Sequence, residues 1–296
     1  MDKLTSINVF LTLAELGSYT ATADKLDMSR AMVSRHIDQM EEWLNARLFQ
    51  RTTRVVKITE AGEQAVRYCQ QITDLVQEVE QEVSAQSGEL VGVLRLASSI
   101  SFGANILSEA INEFQQLHPK LKIHLNLGDQ AINLIENRID LAIRITNNPD
   151  PSLVARKLSR CRSLLVATPD YLAQHGIPTT LDELRSHRCL AHANVNRTEW
   201  YFRQGEQQQT VELDNAFTAN DALALCNIAL ASGGIAMLPR YMVNPHLESG
   251  RLQAVLTDWD LPEYTLYALY PSRHKLPLMV RTFLDFLVEQ FAEKGW

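Results

Sequence analysis

Cysteine is scarce in this chain: four stand among 296 residues, at Cys69, Cys161, Cys189 and Cys226, and no two form a C-x-x-C pair. That spacing excludes a disulfide framework and a zinc site built from paired thiolates. The nearest thing to a ligand cluster is "HRCLAH", in which His187 and Cys189 would share one face of a strand while His192 points the other way. One short cluster without a second ligand pair reads as a half-buried strand, so no metal site is assigned. Long apolar runs are also missing. The longest, around Asn227 to Pro239, is broken by Ser232, Gly233 and Gly234, short of the roughly 18 residues of a membrane span. The opening "MDKLTSINVF" has neither the basic start nor the apolar block of a secretory signal. The expected location is the cytoplasm, with no membrane partner. G-x-S-x-G, a phosphate-binding loop and a metal quartet are absent too, so no catalytic residue or cofactor is assigned and an enzyme is not expected.

Positive charge is in the minority. Lys and Arg number 28 against 35 Asp and Glu, for a net charge of −7, which argues against a chain coated in nucleic acid. Its placement is uneven. Arg30, Arg35, Arg47, Arg51, Arg54 and Lys57 lie between Met28 and Thr59, against Asp38, Glu41 and Glu42. From Glu60 to Glu89 the balance reverses, with Arg67 facing Glu60, Glu63, Asp74, Glu78, Glu80, Glu82 and Glu89. A hydrophobic share of 46% and a charged share of 21% are ordinary for globular domains. The length suits two or three of them.

What is present begins with helical punctuation. Ile7, Phe10, Leu11 and Ala14 recur at helical spacing, and Gly17-Ser18 supplies a stop followed by a new N-cap. A short helix is predicted from about Tyr19 to Leu26, then a turn at Asp27-Met28, then a helix capped by Ser29. Within it Val33, Ile37, Met40 and Leu44 share a face that packs on Ala23, Leu26 and Met28. The opposite face carries Ala31, Ser34, Arg35 and Asp38, with Arg30 in the first turn. Two helices joined by a three-residue turn, the second presenting small and basic residues, form a helix-turn-helix. Small residues allow close approach to base edges, and arginine gives bidentate contacts to guanine. A solvated charged face is the plainer alternative. "RLFQRTTRVVKIT" then reads as a helix end and a two-stranded wing, with Arg51, Arg54 and Lys57 placed for phosphates or the minor groove.

The run from "FLTLAELGSYTATADKLDMSRAMVSRHIDQM" to "LNARLFQRTTRVVKITEAG" resembles the DNA-binding domain of LysR-type transcriptional regulators. The resemblance rests on G-S-Y-T, A-x-x-L, S-x-x-x-S-R-x-I, L-x-x-R-L-F-x-R and T-E-A-G. It implies binding to a double-stranded operator through Ser29, Arg30, Ala31, Ser34, Arg35, Arg51, Arg54 and Lys57. Many members have Gln-Pro after the capping serine where this chain has Arg30-Ala31, so the resemblance carries the binding mode and not the operator sequence.

From Glu60 to about Gln86 the chain is polar and free of proline, with an apolar seam. Ala65, Cys69, Ile72, Val76, Val79 and Val83 alternate steps of four and three, the register of a coiled coil. Pairing with a second copy is the expectation, against the alternative of an amphipathic helix lying on its own domain. The resemblance adds that family members dimerise through a linker helix at this position and, by habit, assemble as four chains. If the protein is an activator, RNA polymerase is a further implied partner.

"SAQSGEL", Ser84 to Leu90, reads as a hinge. Beyond it "VGVLRLASS", "LKIHLNLGD" and "IDLAIRI" read as strands, with helices to Leu117 and at "QAINLIENR". A second set follows Asn147 to Pro151: "RSLLVATP", "RCLAHA", "VELDNAFTA", the helix "NDALALCNIALAS" and "GGIAMLP". "YTLYALYP" and a helix from about Leu278 to Ala292 close the chain. Alternating strand and helix imply largely parallel sheets in two α/β lobes. Ligands in such folds sit beyond the carboxyl ends of strands. Ser98, Ser99, Ser101, Thr146, Asn147, Asn220 and Asp221 occupy such ends, where helix N-termini favour an anionic effector, although each alone is ordinarily a cap.

"NLIENRIDLAIRI", "SRCRSLLVATPDYLAQHGIPTTLDEL" and "ALASGGIAMLPRYMV" resemble the effector-binding domain of the same family. That implies a fold similar to type 2 periplasmic-binding proteins, with the inducer cleft at Ser98-Ser99, Thr146-Asn147 and Asn196 to Thr198. Trp200 and Tyr201 would add a stacking wall or pack the second lobe. The whole reading is multidomain: an all-α winged helix-turn-helix over 1–59, a linker helix and hinge over 60–87, and a two-lobed α/β effector domain over 88–296. Lobe I takes about 90–160 and 266–296, and lobe II about 161–265. The function expected is a DNA-binding regulator modulated by a small molecule. A thiol sensor of the same architecture, triggered at Cys161, Cys189 or Cys226, is the alternative, since arginines flank Cys161 and precede Cys189. A solute-binding protein would leave the first sixty residues without a use.

Overall fold

The structure, a computed structural model, describes residues 2–51, 56–84, 89–130, 133–195, 198–271 and 276–293. The chain divides into two units, Met1–Gly88 and Glu89–Trp296.

In the first unit, local capping sets the elements. The Asp2 carboxylate accepts the amides of Leu4 and Thr5 and starts α1 (Lys3–Leu16). Gly17 ends it at φ 60°, a left-handed conformation open to a residue without Cβ, and its N–H returns to the Leu13 carbonyl. The Ser18 hydroxyl caps α2 (Tyr19–Lys25), and Ser29 caps α3 (Arg30–Leu44) by accepting Met32 N–H at 3.2 Å. Val33, Ile37 and Met40 of α3 are fully buried against Ile7, Phe10 and Leu13 of α1, with Ala23, Leu48 and Phe49 closing the core. Each such side chain contributes roughly 1.5–3 kcal/mol, so an acidic substitution at Ile37 would separate α3 from α1. Leu44, expected on this face, is 38% exposed because the last turn of α3 runs past the core.

β1 (Phe49–Arg51) and β2 (Val56–Ile58) pair antiparallel, with Gln50 opposite Lys57. α4 (Glu60–Ser84) follows. Its first turn is pressed against the ribbon: a Cβ on Gly62 would sit 2.3 Å from the Leu48 carbonyl oxygen and 2.6 Å from Ile58 Cγ1. Thr59 fixes this junction, its hydroxyl donating to the Arg47 carbonyl at 2.6 Å and accepting Gly62 N–H at 3.0 Å. That contact is why T-E-A-G needs glycine.

The apolar seam of α4 does not act as one surface. Cys69 is 3% exposed and packs, with half-buried Ala65, into the core beneath α1. These two positions lie on their own domain and are not available to a partner, so the register read from spacing alone was too generous at its start. Ile72, Leu75 and Val79 are exposed, as is Tyr68, while Val76 is half-buried. The side chain of Val83 and the hinge residues 85–88 lie outside the described residues.

The second unit opens with β3 (Gly92–Ser98) and a helix in three pieces: α5 (Ile100–Phe102), a π-helical turn over Gly103–Leu107, and α6 (Ser108–Leu117). β4 (Leu121–Leu127), β5 (Leu141–Thr146) and β6 (Val154–Cys161) follow. The chain then crosses to a second sheet through β7 (Ser163–Ala167), α7 (Pro169–His175) and β8 (Cys189–His192). A hairpin of β9 (Glu199–Gln204) and β10 (Gln207–Glu212) precedes β11 (Asn215–Ala219), α8 (Ala222–Leu230) and β12 (Ile235–Pro239). α9 (Arg240–Glu248) and β13 (Gln253–Val255) complete this lobe, and β14 (Tyr264–Tyr270) and α10 (Leu278–Glu293) return to the first.

The sheets run β4-β3-β5-β14-β6 and β11-β8-β12-β7-β13. They are mixed, not largely parallel. β4, β3 and β5 are parallel, as are β11, β8 and β12, while β14 and β7 pair antiparallel with both neighbours. Those two strands reach their sheets directly from the other lobe, without the crossover helix that makes a neighbour parallel. The first sheet packs Leu94, Leu96, Leu141 and Ile143 against Phe102, Phe114, Phe283 and Leu287 of the covering helices.

Two readings of the sequence fail here. The helix expected at "QAINLIENR" is a single turn in its described part: Asn133 Oδ1 accepts the amides of Ile135 and Glu136, and Arg138 ends the turn at φ 53°. Capping and termination are too close for a helix to extend. "VELDNAFTA" is two strands, since β10 ends at Glu212 and β11 begins at Asn215.

Candidate functional site

In the first unit the outward face of α3 is open. Arg30, Ala31 and Arg35 are exposed and Ser34 is half-buried, directly behind the fully buried Val33 and Ile37. Ser29 is engaged as the N-cap. Met32, 49% exposed, is an apolar side chain at the surface of α3 that the charge pattern does not flag. Lys57 is exposed on β2. Arg51 lies on β1, its side chain outside the described residues, and Arg54 lies outside them altogether.

Sequence reasoning missed the residue that fixes the wing to this helix. Glu41, only 7% exposed, accepts Leu48 N–H at 2.9 Å and Phe49 N–H at 3.3 Å and holds the Arg47 guanidinium at 2.7 Å. Arg47, counted in the basic patch, is therefore partly neutralised. The sequence held no signal for this role beyond an acid standing inside a basic stretch.

In the second unit a cavity of about 320 Å³ lies between the two sheets. Lobe I supplies Ser99, Ser101, Asp129, Arg144 and Thr146, and lobe II supplies His192, Asn194, Met237 and Tyr241. Of the residues expected from sequence, Ser99, Ser101 and Thr146 line it. Ser98 is fully buried beneath it, with its hydroxyl unpartnered. Asn147 points elsewhere, donating to the Glu263 carbonyl at 2.9 Å. Thr198 and Asn220 are exposed and do not line the cavity. Asn196 lies outside the described residues. Trp200 and Phe202 alternate inward from β9 into the lobe II core, so Trp200 is packing and forms no stacking wall. Tyr201 is exposed and bonds Glu199 at 2.8 Å.

The electrostatics of the cavity come mainly from Asp129, Arg144 and His192, which the sequence did not single out for the cleft. Asp221, expected at the cleft, does not line the cavity; it caps α8, its Oδ1 accepting Leu223 N–H at 3.0 Å and Ala224 N–H at 3.2 Å, while Oδ2 is buried without a partner. The anion seat expected at this helix start is thus filled by the chain's own carboxylate. Asp129, on the cavity wall, has a comparable arrangement. The Ile100 amide at the start of α5 favours its ionised form, and its Oδ2 is also buried and unpartnered. Burial and the nearby Asp221 charge hold the Asp129 carboxyl above the usual range. The Arg144 guanidinium is committed to the carbonyls of Gly128 and, at 3.2 Å, Gln130. Burial lowers the pKa of His192, whose Nδ1 accepts Asn194 N–H at 3.2 Å, leaving Nε2 as the ring's donor.

The cysteines do not offer the reactive thiolate of a sensor. All four are buried and free. Burial pushes Cys161 up to about 12, helped by the Glu263 carboxylate. Arg160 and Arg162, the cations that suggested reactivity, both pair with Glu263, at 3.3 and 3.0 Å. Cys189 is pushed to about 12 by burial alone, its thiol against the Leu184 carbonyl. Cys226 is buried on α8, and burial raises it too. Of the "HRCLAH" residues, His187 bonds the Tyr171 hydroxyl and His192 faces the cavity, so they do not converge with Cys189.

An N-terminal helix-turn-helix with a wing, followed by a two-lobed α/β domain with a polar cleft, defines a ligand-responsive DNA-binding protein. Residues 4–63 match the family described as "Bacterial regulatory helix-turn-helix protein, lysR family", and residues 87–292 match the "LysR substrate binding domain". The chain belongs to the LysR family of transcriptional regulators, and no helix among the described residues is long and apolar enough to cross a membrane. It is 34% identical over 281 residues to an HTH-type transcriptional regulator of Haemophilus influenzae, covering 95% of this chain and 98% of that one. The structure of CrgA, a LysR-type regulator from Neisseria meningitidis, matches with TM-score 0.65 and 31% identity, over 98% of this chain and 99% of the other. The full-length structure of the Vibrio cholerae virulence activator AphB matches with TM-score 0.63 and 28% identity, over 97% and 98%.

Proposed function

We propose that two copies of this chain pair through the exposed part of α4, at Ile72, Leu75 and Val79, and that α3 of each enters a major groove of a two-fold-related operator. Arg30, Ala31, Ser34 and Arg35 read base edges, while Ser29 holds the helix start and Lys57, with Arg51 and Arg54, meets phosphates or the minor groove. A small molecule in the cleft lined by Ser99, Ser101 and Thr146 shifts the regulatory domain between two states by its differential affinity for them. The protein acts in the cytoplasm, catalyses no reaction, assembles further into four chains, and engages RNA polymerase where it activates.

One observation carries the groove assignment: Arg30, Ala31 and Arg35 are exposed on α3 directly behind fully buried Val33 and Ile37, so the basic face is rigidly presented. Gel-shift titration against operator fragments selected by the purified protein tests it. Arg35→Ala and Arg51→Ala are each expected to weaken binding by about 1–3 kcal/mol. Unchanged affinity for both refutes the assignment.

A further inference from the structure

We infer that the regulatory domain carries a second ligand site, on the far face of the interlobe crossing, that takes a small aryl dianion, a dicarboxylate or a phosphate monoester. This site is separate from the effector cleft proposed above and does not depend on that reading.

The chain passes between the lobes twice, from β6 to β7 and into β14, and Tyr264 pairs with Cys161 where the two passages lie side by side. Side chains alternate along such extended segments. Cys161 and Tyr264 line the effector cavity. Arg160, Arg162 and Glu263, their neighbours in the chain, line a different cavity of about 510 Å³, which alternation places on the opposite face. An adjoining cavity of about 330 Å³ shares Arg162, Phe202, Arg203 and Glu263 as walls and adds Arg240 and Trp259.

Four guanidinium groups, of Arg160, Arg162, Arg203 and Arg240, stand around this space against two carboxylates, Asp260 and Glu263, so two positive charges are in surplus. Glu263 is shared, its oxygens meeting Arg160 Nε at 3.3 Å and Arg162 Nε at 3.0 Å. Both contacts use the Nε edge and leave the terminal nitrogens of the two forks open. Arg203 approaches Asp260 at 3.8 Å, too long for a hydrogen bond. Arg240 has no ion pair among the described residues. A guanidinium fork matches a carboxylate or a phosphate bidentately. A surplus of two positive charges is complemented by a ligand that brings two negative ones.

The apolar part of the lining gives the ligand its body. Phe202, 3% exposed, Leu165 and Val255 are buried in the wall. Trp259 stands edge-on to Phe202, with ring centroids 6.4 Å apart at 82°. Leu256, at φ 52°, turns the chain after β13, and Trp259 N–H returns to the Leu256 carbonyl at 3.1 Å. Arginines scattered singly over a surface are simply solvated; here they converge on one recess with an aromatic wall. Few convergent charged groups on an apolar wall are the marks of a ligand site.

The test is isothermal titration calorimetry on the full chain at low ionic strength, where such attraction is least screened. Phthalate and phenyl phosphate are the dianions, with benzoate, benzylamine and inorganic phosphate for comparison. At least one aryl dianion is expected to bind, with benzoate and inorganic phosphate each at least tenfold weaker and benzylamine not binding. Arg203→Ala and Arg240→Ala, both at exposed side chains, should each weaken it at least tenfold. Binding should also change the tryptophan fluorescence, and Trp259→Phe should remove that change while the calorimetric signal remains. Arg203 and Arg240 do not line the effector cavity. A dianion that binds equally well to both arginine variants therefore sits elsewhere, which overturns the inference and leaves the cleft reading intact. Inorganic phosphate as tight as the aryl dianions, the result for an adventitious ion only, overturns it too, as does no binding across the panel.

Discussion

Glu41→Ala should loosen the wing from α3 while leaving the exposed side chains of its outer face in place. The carboxylate accepts the amides of Leu48 and Phe49, residues 1% and 4% exposed, so no water replaces it when it is removed. A buried amide left unpaired costs about 1–3 kcal/mol, and two of them give about 2–6 kcal/mol. The ion pair to Arg47 adds little, because that guanidinium is 77% exposed and exposed pairs contribute about 0–1 kcal/mol. Arg47→Ala is therefore the internal control. Hydrogen–deuterium exchange of the segment spanning Leu48 to Ile58 in the full chain reads the local opening free energy directly. Protection there should fall in Glu41→Ala by at least tenfold more than in Arg47→Ala, and operator affinity should fall with it. Equal protection in the two variants would refute the claim that Glu41 anchors the wing, and would move the anchor to Thr59 and the close contact at Gly62.

Other expectations follow from the same geometry. Gly62→Ala should destabilise the first unit by about 1–3 kcal/mol, because its Cβ would press on the Leu48 carbonyl; urea denaturation checks it. Leu75→Asp or Val79→Asp should disrupt self-association, read by light scattering, since both positions are exposed on α4. Asp129 is raised above the ordinary carboxylate range by burial and Asp221. The folded chain therefore holds its proton more tightly than the unfolded one, and stability falls as pH rises from the unfolded value through the folded one. Asp129→Asn should raise the melting temperature at pH 7 and flatten that fall. Cys161, pushed up to about 12 from an ordinary 9, has a thiolate population about a thousandfold depleted. Its alkylation by iodoacetamide in the native protein should proceed at the rate of unfolding.

In the first unit α2 and α3 were legible because each begins with a serine cap, Ser18 or Ser29, and α1 and α3 because they repeat apolar residues at intervals of three and four. The wing was legible from its cations and paired valines. Glu41 was not, because its partners are backbone amides that become neighbours only after the chain turns back at Asn45. In α4 the seam was visible, but spacing cannot tell a residue covered by its own domain, such as Cys69, from one left open, such as Val79. The lobes were read from alternating strand and helix, whereas the antiparallel insertion of β7 and β14 leaves no local mark. The cleft was located by its strand ends at Ser99 and Thr146. Its character was hidden, since Asp129, Arg144 and His192 lie on three separated segments and only the fold brings them to one cavity.

β14 sits in the interior of its sheet, between β5 and β6, although it comes from the far end of the chain. A nascent polypeptide that has passed Val255 already contains every strand of lobe II, whereas lobe I still lacks an inner strand and the covering helix α10. The half that leaves the ribosome first is thus the half that closes last. A stop codon as late as Glu263 would leave every described strand of lobe II in the product, while the sheet on the other side of the cavity would lack its inner strand.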